Sequence, residues 1–345
     1  MNSIDLPISL RYRFGWLHGA RPDLTMFVLP FVLTSFLCFL ADAKLTYSVV
    51  CSLLLGSLGP VGLFHGGATW FHYLDKKNAE YYCSNRYRLM VHIILPLVVL
   101  AASVVGWMIN PTVTFFLYIA WTTQHLVQQN VGMLLLYRRP GDAQVDRTFE
   151  ARSLQISVAT FFAAWCLRTY LPANVEEFHA LMVGVIGINA VIVVMYLQKL
   201  RAEVNAGKTL NLAALLFWGI AMSMWIPLSV GIGGFAAFML PLMTHWCQYI
   251  GLNWQLVNSK YSVEENRKQL IIQSIPASLL FLLVCIGFVL MLLPAQHPGD
   301  FGKYGIYLQA IGIAFSMTHY FQDAFIWRFR EPYLRETILP YVRAT

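Results

Sequence analysis

Charged side chains are scarce in this chain, and that scarcity argues against an ordinary soluble globular protein. Asp, Glu, Lys and Arg make up 12% of the 345 residues, whereas hydrophobic residues make up 58%. An average soluble domain has roughly 25% charged residues. The mean hydropathy of +0.58 points the same way. The composition therefore indicates a membrane protein.

Several motifs of soluble enzymes and secreted proteins are also missing. The six cysteines are scattered and form no CxxC pair, which disfavours a disulfide framework and a thiolate zinc site. There is no P-loop, no GxGxxG opening a helix and no GxSxG elbow. The first 22 residues lack the apolar core and cleavage site of a secretory signal, so we expect no processing. Their alternating apolar residues leave open a short strand or an interfacial loop.

The chain has instead a series of long apolar stretches, each of roughly 20 residues, which is enough to cross a hydrocarbon core as a helix. Ten such stretches lie at about residues 23–41, 46–74, 89–109, 112–137, 152–172, 178–200, 209–229, 231–257, 269–293 and 303–329. We therefore predict an all-α, multi-pass transmembrane helical bundle of about ten spans, forming a single domain over residues 1–345. Its predicted parts are a cytoplasmic or interfacial segment (1–22), the bundle (23–329) and a cytoplasmic tail (330–345).

The basic residues predict the topology, because loops on the cytoplasmic side hold the excess of Lys and Arg. All but three of the 24 basic residues fall before the first stretch or after the even-numbered ones; the exceptions are Lys44, Arg168 and Lys303. Both termini are therefore predicted to be cytoplasmic, and we expect an integral protein of the bacterial inner membrane. The net charge of +7 is explained by topology, so no nucleic-acid partner is expected.

Three histidines inside the apolar stretches are each followed three residues later by a glutamine. The pairs are His125 and Gln128, His245 and Gln248, and His319 and Gln322. Such polar side chains are costly in a membrane unless they face an interior partner or a ligand, so they are functional candidates. Polar residues that merely bridge two helices are the simpler interpretation of any single histidine.

Four histidines on four stretches share one predicted depth. His65, His125, His245 and His319 precede the first cytoplasmic basic residue by 9 to 15 positions, which places them roughly 14 to 22 Å from the inner flank at about 1.5 Å per residue. Their stretches also run in the same direction. Four imidazoles at one depth suit iron, copper or zinc. We predict that these four histidines bind a metal ion.

His72 stands seven residues after His65, on the same helix face but about 10 Å nearer the cytoplasm. A regular helix prevents it from binding the same ion. Three alternatives stay open for His72. Gly66 and Gly67 could loosen the helix, or His72 and Asp75 could line an entrance or a second metal site.

The residues around the four histidines suggest supporting roles. Gln128, Gln248 and Gln322 are predicted to accept hydrogen bonds from the imidazoles and so to orient them. Asp323 is a metal ligand, an orienting carboxylate or the partner of a cytoplasmic base such as Arg328, and these alternatives stay open. The aromatic residues predicted to form an apolar substrate slot are Trp70, Trp121, Trp246, Tyr249 and Tyr320.

The segment GLFHGGATWFHYLD, from Gly62 to Asp75, resembles the G-L-P-H-G-A-x-D signature of the bacterial Brp/Blh-like β-carotene dioxygenases. His65 takes the place of the signature histidine, whereas Phe64 stands at its proline and Thr69 or Trp70 near its aspartate. That family consists of multi-pass membrane proteins that cleave a carotenoid to retinal with a histidine-ligated non-haem iron. The resemblance implies a membrane-embedded oxygenase that binds ferrous iron (Fe2+) and acts with dioxygen on a lipophilic, carotenoid-like substrate.

Two other functions remain open from the sequence. A haem protein for electron transfer would use two facing histidines as axial ligands. A proton- or ion-coupled transporter would use the histidines and Asp323 as a relay. Copper or zinc in place of iron also remains open.

Overall fold

The computed structural model describes residues 12–42, 59–170, 175–231 and 235–342. Within these ranges the chain is almost entirely helical, which confirms the all-α prediction. Some sequence predictions fall outside the described residues: residues 1–11 of the N-terminal segment, the beginning of the second stretch (46–58) and the last three residues of the tail. Arg11, Lys44, Cys51 and Arg343 lie there too.

Each of the ten predicted stretches coincides with helical structure in the described residues. The main helical segments are Ala20–Asp23 continuing through Leu24–Val28 into Leu29–Asp42, then Gly59–Phe71, Arg86–Leu89 continuing through Met90–Ile94 into Leu95–Ile109, Pro111–Leu136, Arg147–Tyr170, Val175–Asn205, Leu212–Ser223, Ile226–Val230, Phe235–Lys260, Ala277–Gln296 and Gly305–Ile326. Shorter helices are His72–Leu74, Lys76–Cys83, Glu264–Arg267, Pro298–Tyr304, Pro332–Thr337 and Leu339–Val342.

Five helical segments among the described residues are long and apolar enough to cross a membrane: Ala20–Ala41, Arg86–Ile109, Glu176–Asn205, Leu212–Val230 and Ala277–Gln296. Large apolar side chains on them face outward; Ile109 is 79% exposed and Val183 is 72% exposed. Such surfaces are costly in water and favourable in lipid. The four described helices that carry His65, His125, His245 and His319 do not meet this criterion. Gly59–Phe71 has only 13 residues, and Thr, Asn and Gln side chains lower the hydropathy of the other three.

The contacts of the chain divide it into two compact units. The first unit comprises Met1–Cys51 and Leu126–His245, and the second comprises Ser52–His125 and Trp246–Thr345. Both later boundaries fall inside a continuous helix, one in Pro111–Leu136 and one in Phe235–Lys260. The single domain over residues 1–345 stays a prediction.

A small parallel sheet in the first unit pairs Tyr12–Arg13 with Leu210–Asn211, so the N-terminal segment forms a short strand. Asn211 Oδ1 accepts from the Gly15 backbone N–H at 2.9 Å, and Asn211 Nδ2 donates to the Gly15 carbonyl at 3.2 Å. A Cβ at Gly15 would lie 2.7 Å from that amide nitrogen. A glycine is therefore required where the strand ends.

Buried carboxylates of the first unit have hydrogen-bond or ionic partners. Glu150 accepts from Arg138 at 2.6 Å and from the Tyr196 hydroxyl at 2.9 Å. Asp23 accepts from Tyr137 at 2.9 Å and from two backbone N–H groups. These contacts satisfy buried charges that would otherwise be strongly destabilising.

Close helix packing in the second unit depends on the glycines of the GLFHGG segment. A Cβ on Gly67 would lie 2.8 Å from the Cys285 Cα, so the backbones of the Gly59–Phe71 helix and the Ala277–Gln296 helix meet directly at this point. A Cβ on Gly62 would lie 2.6 Å from the Trp246 ring. Small residues allow such approach between helices in membranes. His65, between these two glycines, is thereby fixed in position.

The turn after the Gly59–Phe71 helix is fixed by Asp75. Its Oδ1 accepts from the backbone N–H groups of Lys77 and Asn78 and so caps the Lys76–Cys83 helix. Its Oδ2 accepts from the Lys260 ammonium and the Tyr261 hydroxyl, both at 2.8 Å. Both carboxylate oxygens of Asp75 therefore have structural partners, and the entrance predicted with His72 stays a prediction.

Candidate metal centre

Four buried histidines converge in the structure, as the sequence predicts. His65, His125, His245 and His319 each offer a ring nitrogen, and these atoms all lie within 4.8 Å of one another. The four side chains are between 1% and 4% exposed. His245 is the last residue of the first unit, in the middle of the continuous Phe235–Lys260 helix, and the other three belong to the second unit.

The nitrogen geometry fits a metal ion. His65 Nε2 and His319 Nε2 are 3.1 Å apart, close to the separation of two adjacent ligands around an ion with metal–nitrogen bonds of about 2.1 Å. Two opposite ligands would be about 4.2 Å apart. Because the nitrogens lie within 4.8 Å of one another, the widest pair would move closer by up to about 0.6 Å on binding an ion. The donor set of four imidazoles suits iron, copper or zinc.

The carboxylate of Asp323 lies beside the histidine group and does not bind Arg328. Its Oδ2 is 3.9 Å from His125 Nε2, and its Oδ1 is 3.6 Å from His319 Nδ1. Oδ1 accepts from the Tyr249 hydroxyl at 2.7 Å and from the Thr69 hydroxyl at 2.9 Å. Oδ2 has no hydrogen-bond donor among the described residues. One carboxylate oxygen is therefore held by hydroxyls, while the other faces His125.

Thr69 lies between this carboxylate and a histidine, a position that the sequence did not indicate. Its hydroxyl oxygen is 2.6 Å from His319 Nδ1, and the side chain is fully buried. The available signal was its spacing: Thr69 is four residues after His65 and therefore on the same helix face. The sequence could not reveal its partners, because they come from other helices.

The prediction for Gln128 is wrong. Its side chain is exposed, so it cannot orient a buried imidazole. Three residues correspond to about 300° of helix rotation, so the i+3 position lies about 60° from the histidine and has turned outward. Gln129 is closer to the histidine's direction, and its Nε2 donates to the His245 carbonyl at 3.3 Å.

Gln248 and Gln322 are buried as expected, but no hydrogen bond joins either to a histidine ring among the described residues. The Gln322 amide nitrogen donates to the Tyr73 hydroxyl at 3.0 Å, so its partner is a tyrosine. Both polar atoms of Gln248 lack a partner in the described part of the chain, although the side chain is fully buried. The side chain within hydrogen-bond distance of the His319 ring is that of Thr69 instead.

His72 lies outside the histidine group. Its Nε2 is 2.9 Å from Asn253 Oδ1, its ring packs edge-on against Trp327, and its carbonyl accepts from Asn78. The α-helix ends at Phe71, so His72 stands on a tight turn with its own partners. The proposed metal-binding role for His72 is not supported, since its ring nitrogen is bound to an amide.

The aromatic residues predicted to form a substrate slot have different environments. Tyr320 stacks on the His125 ring with centroids 4.5 Å apart, and Tyr249 packs edge-on against His65 at 4.7 Å. Tyr249 is 1% exposed and binds Asp323, so it supports the site. Trp70, Trp121 and Trp246 are partly exposed and remain candidates for substrate contact.

The fold and the site define a helical protein with membrane-compatible helices and a buried group of four histidines. Comparisons with protein-family models, curated proteins and solved structures found no match to this chain. The resemblance around His65 therefore remains a prediction from one short segment.

Proposed function

We propose that this protein is a membrane-embedded, histidine-ligated non-haem iron oxygenase acting on a lipophilic, carotenoid-like substrate. The observation that carries the proposal is the buried group of His65, His125, His245 and His319, whose ring nitrogens lie within 4.8 Å of one another. Four imidazole rings buried together in an apolar interior are costly unless a ligand uses their lone pairs. A bound cation would offset that cost.

The donor set fits ferrous iron because four nitrogens leave two positions of a six-coordinate ion open. Iron bound there would supply the redox chemistry that activates dioxygen. Haem iron takes four nitrogens from its porphyrin and binds at most two histidines. A group of four clustered imidazoles therefore disfavours haem.

The protein's own residues hold and shield this centre in the proposal. Asp323 Oδ2 lies 3.9 Å from His125 Nε2 and lacks a hydrogen-bond donor in the described residues, so it is available to a ligand beside His125. Tyr320 covers one face of the His125 ring and Tyr249 lies against His65. These aromatic contacts exclude water from the centre.

The proposal includes the membrane arrangement. Ten spans with cytoplasmic termini in the bacterial inner membrane follow from the distribution of Lys and Arg, and five helices compatible with crossing support them. A lipophilic substrate would enter from the bilayer, and the partly exposed Trp70, Trp121 and Trp246 are suited to contact it.

The direct test is a metal count with an optical spectrum on detergent-purified protein, as isolated and after anaerobic reconstitution with ferrous iron. We expect about one iron per chain in the wild type and almost none in His125→Ala or His319→Ala, because each removes one ligand of four. His92→Ala is the matched control: His92 is a buried histidine stacked on Tyr82, outside the group. It should retain the iron.

Three results would contradict the proposal. The first is reconstituted wild-type protein without metal, and the second is iron retained in both alanine variants. The third is a Soret band, which would indicate haem. If metal-free protein in proteoliposomes instead takes up a solute in response to a proton gradient, the histidines form a transport relay.

The oxygenase activity is tested with an apolar conjugated polyene and isotopically labelled dioxygen. Cleavage of one carbon–carbon double bond consumes one dioxygen and yields two carbonyl products, each with one labelled oxygen. Mass spectrometry should detect both products with wild-type protein and neither with His319→Ala.

A further inference from the structure

The contacts of Thr69 indicate which ring nitrogen of His319 bears the hydrogen and which is free to bind a metal. The Thr69 hydroxyl lies between two groups of the same neighbouring helix, 2.6 Å from His319 Nδ1 and 2.9 Å from Asp323 Oδ1. All three side chains are buried, at 6% exposure or less. Their hydrogens must therefore be shared among themselves, because water does not reach them.

The hydrogen positions follow from counting donors. Thr69 and Tyr249 each have one hydroxyl hydrogen, and both oxygens lie within hydrogen-bond distance of the same carboxylate oxygen, Asp323 Oδ1. An ionised carboxylate only accepts hydrogen bonds. The two hydroxyl oxygens also lie 2.8 Å from each other, so three oxygen–oxygen contacts share two hydroxyl hydrogens and none remains for His319. The Thr69 oxygen is therefore left to accept from the ring. The 2.6 Å contact with His319 must then be donated by the imidazole, from Nδ1–H.

A further hydrogen bond supports the assignment of the Tyr249 hydrogen to Asp323. The Trp327 indole N–H donates to the Tyr249 oxygen at 3.2 Å. Because indole nitrogen only donates, the Tyr249 oxygen accepts there and its own hydrogen remains directed at Asp323. The network thus runs from Trp327 through Tyr249 to Asp323, and from His319 through Thr69 to the same oxygen.

The consequence lies at the other nitrogen of the ring. A neutral imidazole with its hydrogen on Nδ1 has its lone pair on Nε2, and His319 Nε2 is the atom 3.1 Å from His65 Nε2. We propose that Thr69 is a positioning residue that fixes His319 in the Nδ1–H form and directs its Nε2 lone pair into the histidine group.

This inference rests on the proposed metal site and adds how one ligand is prepared. Partners that bind the remote nitrogen of a metal-bound histidine commonly contribute about 10- to 100-fold in metal affinity. Thr69 reaches His319 from a different helix, so it also links the Gly59–Phe71 helix to the Gly305–Ile326 helix at the height of the site.

The test uses copper(II) as the probe, because four imidazoles bind it well and its electron spin echo is modulated by the remote ring nitrogen of each bound imidazole. Thr69→Val keeps the side-chain shape and removes the hydroxyl. We expect copper to bind about 10- to 100-fold more weakly, with a smaller echo modulation from the remote ring nitrogens. Thr69→Ser should restore affinity to within about threefold and recover the modulation.

Thr318→Val is the matched control. Thr318 is a buried threonine beside His319, and its hydroxyl donates to the Ala314 carbonyl of its own helix. Its replacement should leave copper affinity and echo modulation unchanged. If Thr69→Val does not accumulate, Thr69→Ala removes the same hydroxyl. Thermal unfolding in detergent verifies that each variant is folded.

The outcomes separate the two proposals. Wild type that binds neither copper nor iron contradicts the metal site and this inference together. Wild type that binds copper, with Thr69→Val equal to it in affinity and echo modulation, contradicts the role of Thr69 alone. Thr69→Ser as weak as Thr69→Val also contradicts it, since packing of the methyl group would then be the cause.

Discussion

Two buried carboxylates, Glu150 in the first unit and Asp323 in the second, have different kinds of partner. In the first unit Glu150 is bound by Arg138 at 2.6 Å and by Tyr196 at 2.9 Å, so a cation and a hydroxyl satisfy the carboxylate. In the second unit, Asp323 is bound by the neutral hydroxyls of Tyr249 and Thr69 and lies beside histidines. The difference indicates a self-contained ion pair around Glu150, whereas Asp323 lies beside a histidine group that could hold a metal ion.

The second unit also contains a complete ion pair, so Asp323 can be compared with another buried carboxylate of its own unit. Asp75 binds Lys260 and Tyr261, both at 2.8 Å, and caps a helix. This carboxylate has its own lysine, whereas Asp323 has no lysine or arginine within ion-pair distance among the described residues. Burial alone therefore does not distinguish Asp323; the nature of its neighbours does.

The largest expected effect comes from removing the metal. A bound ligand at a thousandfold excess over its dissociation constant stabilises a protein by about 4 kcal/mol, so chelation should lower the unfolding midpoint of metal-loaded wild type by several degrees. Circular dichroism in detergent measures the shift. The same chelator should leave His125→Ala unchanged, because that variant has no complete site. An equal shift in both proteins would show that the chelator acts elsewhere.

Arg138→Met tests the ion pair between Arg138 and Glu150 in the first unit. It leaves the buried Glu150 carboxylate without its cation, and breaking such a pair costs about 3 kcal/mol. Chemical unfolding should report this loss while the iron count stays near that of wild type. The double variant Arg138→Met/Glu150→Gln should regain most of the stability, since no unpaired charge remains. Loss of iron in Arg138→Met would show that the Glu150 ion pair is needed for metal binding, which contradicts its purely structural role.

The smallest effect concerns His18 in the first unit. Burial lowers the pKa of His18 to about 4, whereas the unfolded chain keeps a value near 6.5. The unfolded state therefore gains a proton first as the pH falls, and stability decreases from about pH 6.5 downward. We expect a loss of about 2 kcal/mol between pH 7 and pH 5, measured by chemical unfolding. His18→Phe should flatten that portion of the pH profile, and an unchanged slope would exclude His18 as its cause.

The four histidines could be predicted because depth along a helix is a property of sequence spacing. Residue counts to the flanking basic residues place His65 and His319 at similar heights, and the structure brings their nitrogens to 3.1 Å. The glutamines could not be treated in the same way. The direction in which a side chain points depends on rotation about the helix axis. Gln128, at i+3 from His125, is exposed, whereas Gln322 donates to the Tyr73 hydroxyl.

Tertiary packing decided the partners of Asp323. Sequence offered it as a ligand, an orienting group or the partner of Arg328, since each lies within reach along one helix or its end. Thr69 and Tyr249, from two other helices, are the residues that bind it. Such hydrogen bonds join residues about 70 to 250 positions apart, a separation over which spacing rules for one helix have no meaning.

By itself, the sequence determined the helical class, the apolar stretches and the heights of the four histidines, because each depends on composition or on rise per residue along one helix. Only the tertiary structure decided that these histidines converge, that His72 pairs with Asn253 and that Thr69 joins His319 to Asp323. Those outcomes depend on how closely helices approach and how each is rotated. The approach is set by contacts such as Gly67 against Cys285, which no single helix contains.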